Sequence, residues 1–255
     1  MKKKLEEIKL DLNAVILFIF LLSVVFIFIE YSLGKIALGL IEKEEYEKAI
    51  NVYRLLISKT EKDLFNIGFC FTQNKEYQKA LKYYDKALKI NPEYAEAWNN
   101  KGIILKELKK YKKALKCYNK ALEINSELIE AWNNKGTILQ ELGKYEEALE
   151  CYNKALEINP KSIETLTYKG ITLSKIGKYK KALKCFDKAL KIDPKNKLLH
   201  KTKAALHKKL KNQEKAWLQP RKCRNDDHTT NTRWSANIHH LHITNRRHRT
   251  NTKLS

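Results

Sequence analysis

The sequence is poor in the residues that mark several classes of protein. Its 255 residues include four prolines and eight glycines, which excludes collagen-like and Gly/Pro-rich chains. Five cysteines are too few for a disulfide scaffold, and their spacing is not that of a zinc site, so we expect neither a metal nor a cofactor. The sequence also lacks a nucleophile set with His and Asp partners, a glycine-rich phosphate loop and an HExxH pattern. We therefore predict that the protein is not an enzyme.

Acidic residues are in the minority, with 29 Asp and Glu against 51 Lys and Arg, so the formal net charge is +22. Such a balance usually indicates a nucleic acid or an anionic membrane as partner. Most of the excess lies in residues 61–216, where the lysines occupy turns and the predicted outer sides of helices and favour solubility. Nucleic acid is therefore not the partner that we expect. The alternative function is a basic adaptor that binds nucleic acid or acidic partners through its C-terminal end.

One long hydrophobic run lies near the amino terminus. Residues 14–29 read AVILFIFLLSVVFIFI, and residues 13–33 are long enough to cross a bilayer core of ~30 Å. We predict a transmembrane helix over 13–33 behind a basic flank, residues 1–12. A cleaved signal peptide is the alternative, because Ser32 and Gly34 form a small-residue cleavage site after an N-terminal lysine cluster. A buried core helix fits badly, since a helix that is apolar all round needs neighbours on every side.

The lysines that flank this run predict its orientation. Four lysines precede it and three follow within twenty residues. Cytoplasmic flanks carry the excess of positive charge, so a margin of one lysine favours a cytoplasmic amino terminus. We therefore predict a single-pass membrane protein, with the lipid bilayer contacted through the N-terminal helix and the rest of the chain on the opposite side.

The middle of the chain repeats every 34 residues. Residues 95–128 read AEAWNNKGIILKELKKYKKALKCYNKALEINSEL, and residues 129–162 match them at most positions. The same pattern fills 61–94 and 163–196. A degenerate short repeat spans 30–60, and 197–216 form a polar-faced capping helix of the kind that a stack of repeats needs. Each full unit is predicted to be a hairpin of two helices.

The repeated positions have physical explanations. Glycine in a helix costs about 1 kcal/mol relative to alanine, so the glycines of the first helices suggest the close approach of another backbone. These glycines are Gly68, Gly102, Gly136 and Gly170. Alanines give each second helix a small-residue seam, and large aromatic residues fill the space between. Pro92, Pro160 and Pro194 end three of the second helices.

This pattern of Trp, Gly, Tyr, Ala, aromatic, Ala and Pro over 61–196 resembles the tetratricopeptide repeat family. The resemblance implies an all-α, right-handed α-solenoid of helical hairpins, here behind one N-terminal transmembrane helix. It also implies a scaffold for protein-protein interaction whose first helices line a concave groove that binds a protein or extended peptide segment. Lys101, Lys135 and Lys169 depart from the family pattern, which usually has leucine there.

Asparagines recur in the first helices, although asparagine is a poor helix former. Asn66, Asn100 and Asn134 occupy one repeat position, with Asn99 and Asn133 beside two of them. The column is similar to the asparagine ladder of the O-linked N-acetylglucosamine transferase superhelix, whose amides hold the backbone of a bound peptide. That similarity implies that these five residues bind peptide, since an amide can pair with extended main chain of any sequence. The alternative is recent duplication of one unit that left identical solvated residues.

Four of the cysteines and the C-terminal segment say little about function. Cys117, Cys151 and Cys185 stand one repeat apart, too distant for a disulfide, and we predict that they and Cys70 fill the core. Residues 217–255 contain no glutamate but six of the seven arginines, and they lack any periodicity. We interpret them as a disordered basic tail or as the product of a shifted reading frame.

Overall fold

The computed structural model describes the backbone of residues 2–218 and the side chains of residues 14–214. Of the predicted tail, residues 217–218 belong to the last helix, and the predictions for residues 219–255 lie outside the described residues. Within residues 2–218 the chain forms eleven helices and no strand, which confirms the prediction of an all-α solenoid of hairpins. By its contacts the chain divides into two units, Met1–Lys211 and Asn212–Ser255, and only the first residues of the second unit are described.

The helices alternate between first and second members of successive hairpins. Their bounds are α1 (Lys2–Glu42), α2 (Tyr46–Leu55), α3 (Glu61–Gln73), α4 (Tyr77–Ile90), α5 (Ala95–Glu107), α6 (Tyr111–Ile124), α7 (Ile129–Glu141), α8 (Tyr145–Ile158), α9 (Ile163–Lys175), α10 (Tyr179–Ile192) and α11 (Lys197–Leu218). The closest helix pairs are the two members of each hairpin, from α1 with α2 to α9 with α10. Each second helix from α2 to α8 then packs on the first helix of the next hairpin, and Phe186 of α10 shares a core cluster with Leu199 and Leu206 of α11.

The N-terminal helix is longer than either of the two elements predicted from its sequence. The hydrophobic run and the first helix of the degenerate repeat are one uninterrupted helix of 41 residues, roughly 60 Å long at ~1.5 Å per residue. Neither a glycine nor a proline turn separates them, because Gly34 and Gly39 are both accommodated within α1. Among the described helices, one segment is long and apolar enough to cross a membrane, Ala14–Glu42, with a mean hydropathy of 2.7.

The two halves of α1 have different surroundings. From Val15 to Ile29 the large apolar side chains are between 38% and 69% exposed, so this half contacts no other part of the described chain extensively. Further on, Ala37 is fully buried against α2 residues that include Ile50 and Tyr53. The second half of α1 is thus part of the first hairpin's core, and the first half is apolar surface without a covering layer.

The repeated glycines approach aromatic rings, which corrects the expectation of a backbone neighbour. A Cβ atom on Gly102 would lie 2.5 Å from Cε1 of Tyr118, and one on Gly68 would lie 2.8 Å from Cε1 of Tyr84. Gly136 and Gly170 meet the rings of Tyr152 and Phe186 in the same way. Each glycine therefore makes room for the central ring of the second helix in its own hairpin. The sequence pattern shows that space is needed but not which group occupies it.

Candidate functional site

The first helices lie on the inner side of the repeat stack. Successive first helices contact one another, α3 with α5, α5 with α7 and α7 with α9. The second helices of successive hairpins are spaced more widely, so the stack curves towards its first helices. This side carries the asparagine column predicted from the sequence.

The first two members of the column bond to buried tyrosines. Asn66 Nδ2 donates to the Tyr53 hydroxyl over 2.9 Å. The Tyr84 hydroxyl lies 3.2 Å from Thr72 Oγ1, and the neighbouring Asn100 side chain lowers the pKa of Tyr84 as a hydrogen-bond donor. Burial raises the pKa of Tyr53 and of Tyr84 to about 12, and the two amides oppose that rise by donating to the phenol oxygens. Both amides thus satisfy a polar group that folding has removed from water.

The third member is arranged differently. Asn134 Nδ2 donates over 3.1 Å to Oδ1 of Asn99, which lies on the preceding first helix. The Tyr118 hydroxyl, which stands where Tyr53 and Tyr84 stand in their own hairpins, has no hydrogen-bond partner in the described residues. Burial raises the pKa of Tyr118. The Asn134 amide therefore bonds to the neighbouring first helix and not to the tyrosine of the preceding hairpin.

The two flanking asparagines are buried braces. Asn99 is 6% exposed and Asn133 is 4% exposed, whereas Asn66, Asn100 and Asn134 are half-buried. Asn133 Oδ1 accepts a hydrogen bond of 3.0 Å from Thr165 Oγ1 on α9. The bonds made by Asn99 and Asn133 consequently link α5 to α7 and α7 to α9.

Tyr168 takes the place of asparagine in the fourth full repeat. Its hydroxyl donates over 2.8 Å to Glu164 Oε1, and its ring centroid lies 5.9 Å from that of Tyr152. Burial raises the pKa of Tyr168 to about 12, and the Glu164 carboxylate adds to the rise. The asparagine column therefore has three members, and at the fourth position the Tyr168 ring packs on the Tyr152 ring.

A cavity of about 570 Å³ lies at the α1 end of the groove. Its apolar wall comes from Ile27 and Leu38 of α1, and its opposite wall includes Asn66 and Lys62 of α3. The Glu30 carboxylate, which also lines the cavity, accepts hydrogen bonds from the Ser58 hydroxyl at 2.7 Å and from the backbone N–H groups of Ile57 and Ser58. These bonds connect α1 to the loop before α3. Asn66, the first residue of the asparagine column, lines the same cavity.

Lys101, one of the lysines that depart from the family pattern, and Lys203, at the same repeat position in α11, make interhelix contacts. Lys101 Nζ lies 2.6 Å from Asp85 Oδ1 on α4, and Lys203 makes the same contact of 2.6 Å with Asp187 on α10. The hairpins between them have asparagine, Asn119 and Asn153, at the aspartate position. Sequence reasoning missed these contacts, although the signal was present: lysine and Asp/Asn columns both recur at 34 residues.

The described cysteines are buried and free. Cys70, Cys117, Cys151 and Cys185 fill the core, which confirms their predicted role. Burial raises the pKa of the Cys70 thiol to about 12 and that of the Cys151 thiol to about 11. An activated nucleophilic cysteine has a lowered pKa, so these two thiols do not resemble one. Between residues 14 and 214, no three His, Cys, Asp or Glu side chains come together as a metal site.

Comparison with known proteins agrees with this architecture. The tetratricopeptide repeat family model matches residues 62–94, 95–128, 129–162 and 163–196, which is more than half of the chain. Photosystem I assembly protein Ycf3 is 35% identical over 66 residues in Acaryochloris marina and 39% identical over 82 residues in Sorghum bicolor. These alignments cover 24% and 30% of the chain, and the chain spans only 40% and 48% of the relatives' length.

Among solved structures, the chain is similar to YrrB, described as a tetratricopeptide protein with an unusual peptide-binding site. The identity is 26% and the TM-score 0.54, with 68% of this chain and 90% of YrrB covered. A tetratricopeptide repeat protein from Parabacteroides merdae gives a TM-score of 0.61 at 22% identity, covering 74% of this chain and 76% of its own. Repeats of this type form protein-protein interaction scaffolds. The four matched repeats and the shared solenoid show that the chain belongs to the tetratricopeptide repeat family.

Proposed function

We propose that the protein is a membrane-anchored scaffold that binds an extended segment of a partner protein in its concave groove and has no enzymatic activity. The anchor is the first half of α1, with the amino terminus on the cytoplasmic side. The groove contacts the partner through Asn66, Asn100 and Asn134, while Asn99 and Asn133 hold the first helices in register. Similarity to an assembly protein and to a protein with a peptide-binding site supports this role.

The surroundings of α1 support an uncleaved anchor. Apolar side chains exposed on all sides of a helix are stable in lipid and costly in water, at about 25 cal/mol per Å². Cleavage after Gly34 would also remove the Glu30 carboxylate, which accepts three hydrogen bonds from Ile57 and Ser58. The second half of α1 would then begin as a frayed end inside the core of the first hairpin.

The anchor is tested by fusing one epitope tag to each end of the chain and extracting the membranes with alkaline carbonate. We expect both tags on one polypeptide that stays in the membrane pellet. A mature polypeptide without its N-terminal tag would instead show a signal peptide. Protease treatment of sealed right-side-out vesicles then tests orientation. Protection of the N-terminal tag and digestion of the C-terminal tag would agree with a cytoplasmic amino terminus.

The observation that carries the groove proposal is the position of Asn134. If the column served only to satisfy buried phenols, Asn134 would bond to Tyr118, whose hydroxyl has no partner in the described part of the chain. Its amide bonds instead to Asn99 along the groove. Three half-buried amides on successive first helices offer donors and acceptors to an extended backbone, independent of the sequence of that backbone.

The groove is tested with the full chain in detergent-solubilised native membranes. We expect Asn100→Ala with Asn134→Ala to weaken capture of the partner about thirtyfold, since two hydrogen bonds contribute roughly 1 kcal/mol each. The matched control is Asn51→Ala with Asn119→Ala, which removes two exposed asparagines from the second helices α2 and α6. Equal losses for both variants, or no loss for the first, would contradict groove binding.

A further inference from the structure

Lysine recurs at one position of the first helices, and the four lysines do not have equivalent surroundings. They are Lys101, Lys135, Lys169 and Lys203. Lys101 and Lys203 are paired with aspartates on the preceding second helix, at 2.6 Å in each case. Lys135 and Lys169 face asparagine at that position, so no carboxylate compensates them there. The chain therefore contains two neutralised and two uncompensated versions of one contact, which gives an internal comparison.

Lys135 finds compensation elsewhere. Its Nζ lies 5.4 Å from the centroid of the Trp132 ring, within the range of a cation-π interaction. The second helix of its own hairpin, α8, carries Glu147 and Glu150, and Glu147 forms an ion pair of 2.7 Å with Lys144. Lys135, Glu147 and Glu150 all act electrostatically on the Cys151 thiol, so carboxylates lie in the surroundings of Lys135.

Lys169 has neither form of compensation. Leu166 stands at the position of Trp132, and α10 has Lys181 and Lys184 at the positions of Glu147 and Glu150. These three lysines and Lys178 line a cavity of about 340 Å³ between α8, α9 and α10. The remaining lining is Leu149, Asn153, Leu173 and Cys185, without a carboxylate. Four cations around an apolar floor repel one another, and an anion in the cavity would remove that repulsion.

From this arrangement, the geometry assigns to the Lys169, Lys178, Lys181 and Lys184 cluster a second binding site, for an acidic segment of a partner protein. It lies between second helices and is separate from the asparagine groove. Lys178 precedes the first residue of α10, and with Lys181 and Lys184 it places a lysine at every third residue over roughly 9 Å. Alternate residues of an extended segment point to the same side at a spacing of roughly 6.6 Å, which lets acidic side chains at alternate positions contact this row.

The apolar floor and the type of base favour a peptide over other anions. Leu149 and Leu173 offer contact to an apolar side chain placed between two acidic ones. Residues 61–216 contain no arginine, the residue best suited to forked recognition of a phosphate. No aromatic ring lines the cavity among the described residues, so stacking of a nucleic-acid base has no platform there.

The test uses the full chain in detergent micelles and a fluorescent peptide with glutamate at alternate positions, followed by anisotropy. We expect Asn153→Asp to weaken binding about tenfold, because it supplies Lys169 with the carboxylate that Asp85 and Asp187 supply to their lysines. Lys181→Glu with Lys184→Glu should abolish binding. Added salt should weaken it, as for any exposed charge contact.

The matched control is Lys113→Glu with Lys116→Glu on α6, which changes the charge equally at the same repeat positions, beside the neutralised Lys101. Retention of binding by this control supports the site, and an equal loss would reduce the effect to net charge and overturn it. Displacement by inorganic phosphate or by single-stranded DNA at lower concentration than by unlabelled peptide would overturn the acidic-segment assignment. Asn100→Ala with Asn134→Ala should leave this affinity unchanged, which separates failure here from failure of the groove.

Discussion

The buried tyrosines of the first two hairpins differ from that of the third. The Tyr53 and Tyr84 hydroxyls interact with column asparagines, whereas the Tyr118 hydroxyl has no hydrogen-bond partner in the described structure. Their three rings and that of Tyr152 occupy the same place in their hairpins and are fully buried. Ring packing, which all four share, is therefore the constant feature of the repeat, whereas the bonding of the column amides varies.

The difference also bears on the origin of the asparagine column. A residue kept only to satisfy a phenol would do so in every repeat where the phenol occurs. Asn134 does not, although Tyr118 is present in the preceding hairpin. Duplication accounts for the identity of the WNNKG segments, but the varying use of the amides agrees better with a surface that adapts to a ligand.

Alkaline pH gives the largest expected effect and tests the burial that the tyrosines share. In the unfolded chain tyrosine ionises near pH 10, while burial raises the pKa of Tyr53 and Tyr84 to about 12. The stability that these neutral phenols contribute is therefore complete below pH 10 and is lost as the pH rises towards 12. We expect unfolding, followed by circular dichroism, to coincide with phenolate absorbance. Phenolate formation in a chain that is still fully helical would contradict this.

Overpacking at a glycine tests the rings themselves. In Gly102→Ala the new methyl group would lie 2.5 Å from the Tyr118 ring, which is buried and cannot move away without disturbing its neighbours. We expect a loss of about 2–3 kcal/mol in the free energy of unfolding, measured with urea. Gly39→Ala in α1, where no atom lies within 4 Å of the new group, is the control and should not destabilise the chain.

Removing a column amide tests the bonded pair. Asn66→Ala leaves the Tyr53 hydroxyl buried without its donor, and we expect a loss of about 1–2 kcal/mol in unfolding free energy. Adding Tyr53→Phe should recover most of that loss, because no polar group is then left unpaired. A double variant as unstable as the sum of its single variants would show that the bond between Asn66 and Tyr53 does not couple them.

Removing an unpaired hydroxyl tests the other side of the comparison and gives the smallest effect. We expect Tyr118→Phe to leave stability unchanged or to raise it by about 1 kcal/mol, because the hydroxyl lost has no partner to leave behind. The chain itself has phenylalanine at this repeat position, Phe186, which is also buried. Destabilisation comparable with that of Tyr53→Phe would mean that an ordered water satisfies Tyr118.

Much of the fold follows from the sequence because the repeat is encoded in residues that act locally. Glycine, alanine, aromatic and proline positions at 34-residue spacing predict hairpins whichever partner each residue meets. The length of α1 was less predictable, since helix continuity across residues 30–34 depends on the absence of a break and not on a positive signal. The ring contacts of Gly68 and Gly102 were missed because a glycine indicates close approach without identifying the neighbour.

The candidate site was less predictable than the fold. Sequence spacing places Asn66, Asn100 and Asn134 on one face, but it does not distinguish them from Asn99 and Asn133, which are buried as braces. That distinction depends on how adjacent first helices pack, a tertiary property. The lysine contacts were within reach of the sequence, because opposite charges recur in register, but their pairing requires the distance between one hairpin and the next.

The central claim is that an extended partner lies along the amide ladder, and site-specific photocrosslinking in native membranes tests it most directly. A photoreactive residue replaces Thr137, one turn beyond Asn134 on α7, and in a second chain it replaces Lys154 on the outer helix α8. We predict a crosslinked partner from position 137 that disappears with Asn100→Ala and Asn134→Ala, and none from position 154. Crosslinks of equal yield from both positions, or a yield from position 137 that ignores the asparagine changes, would contradict the account.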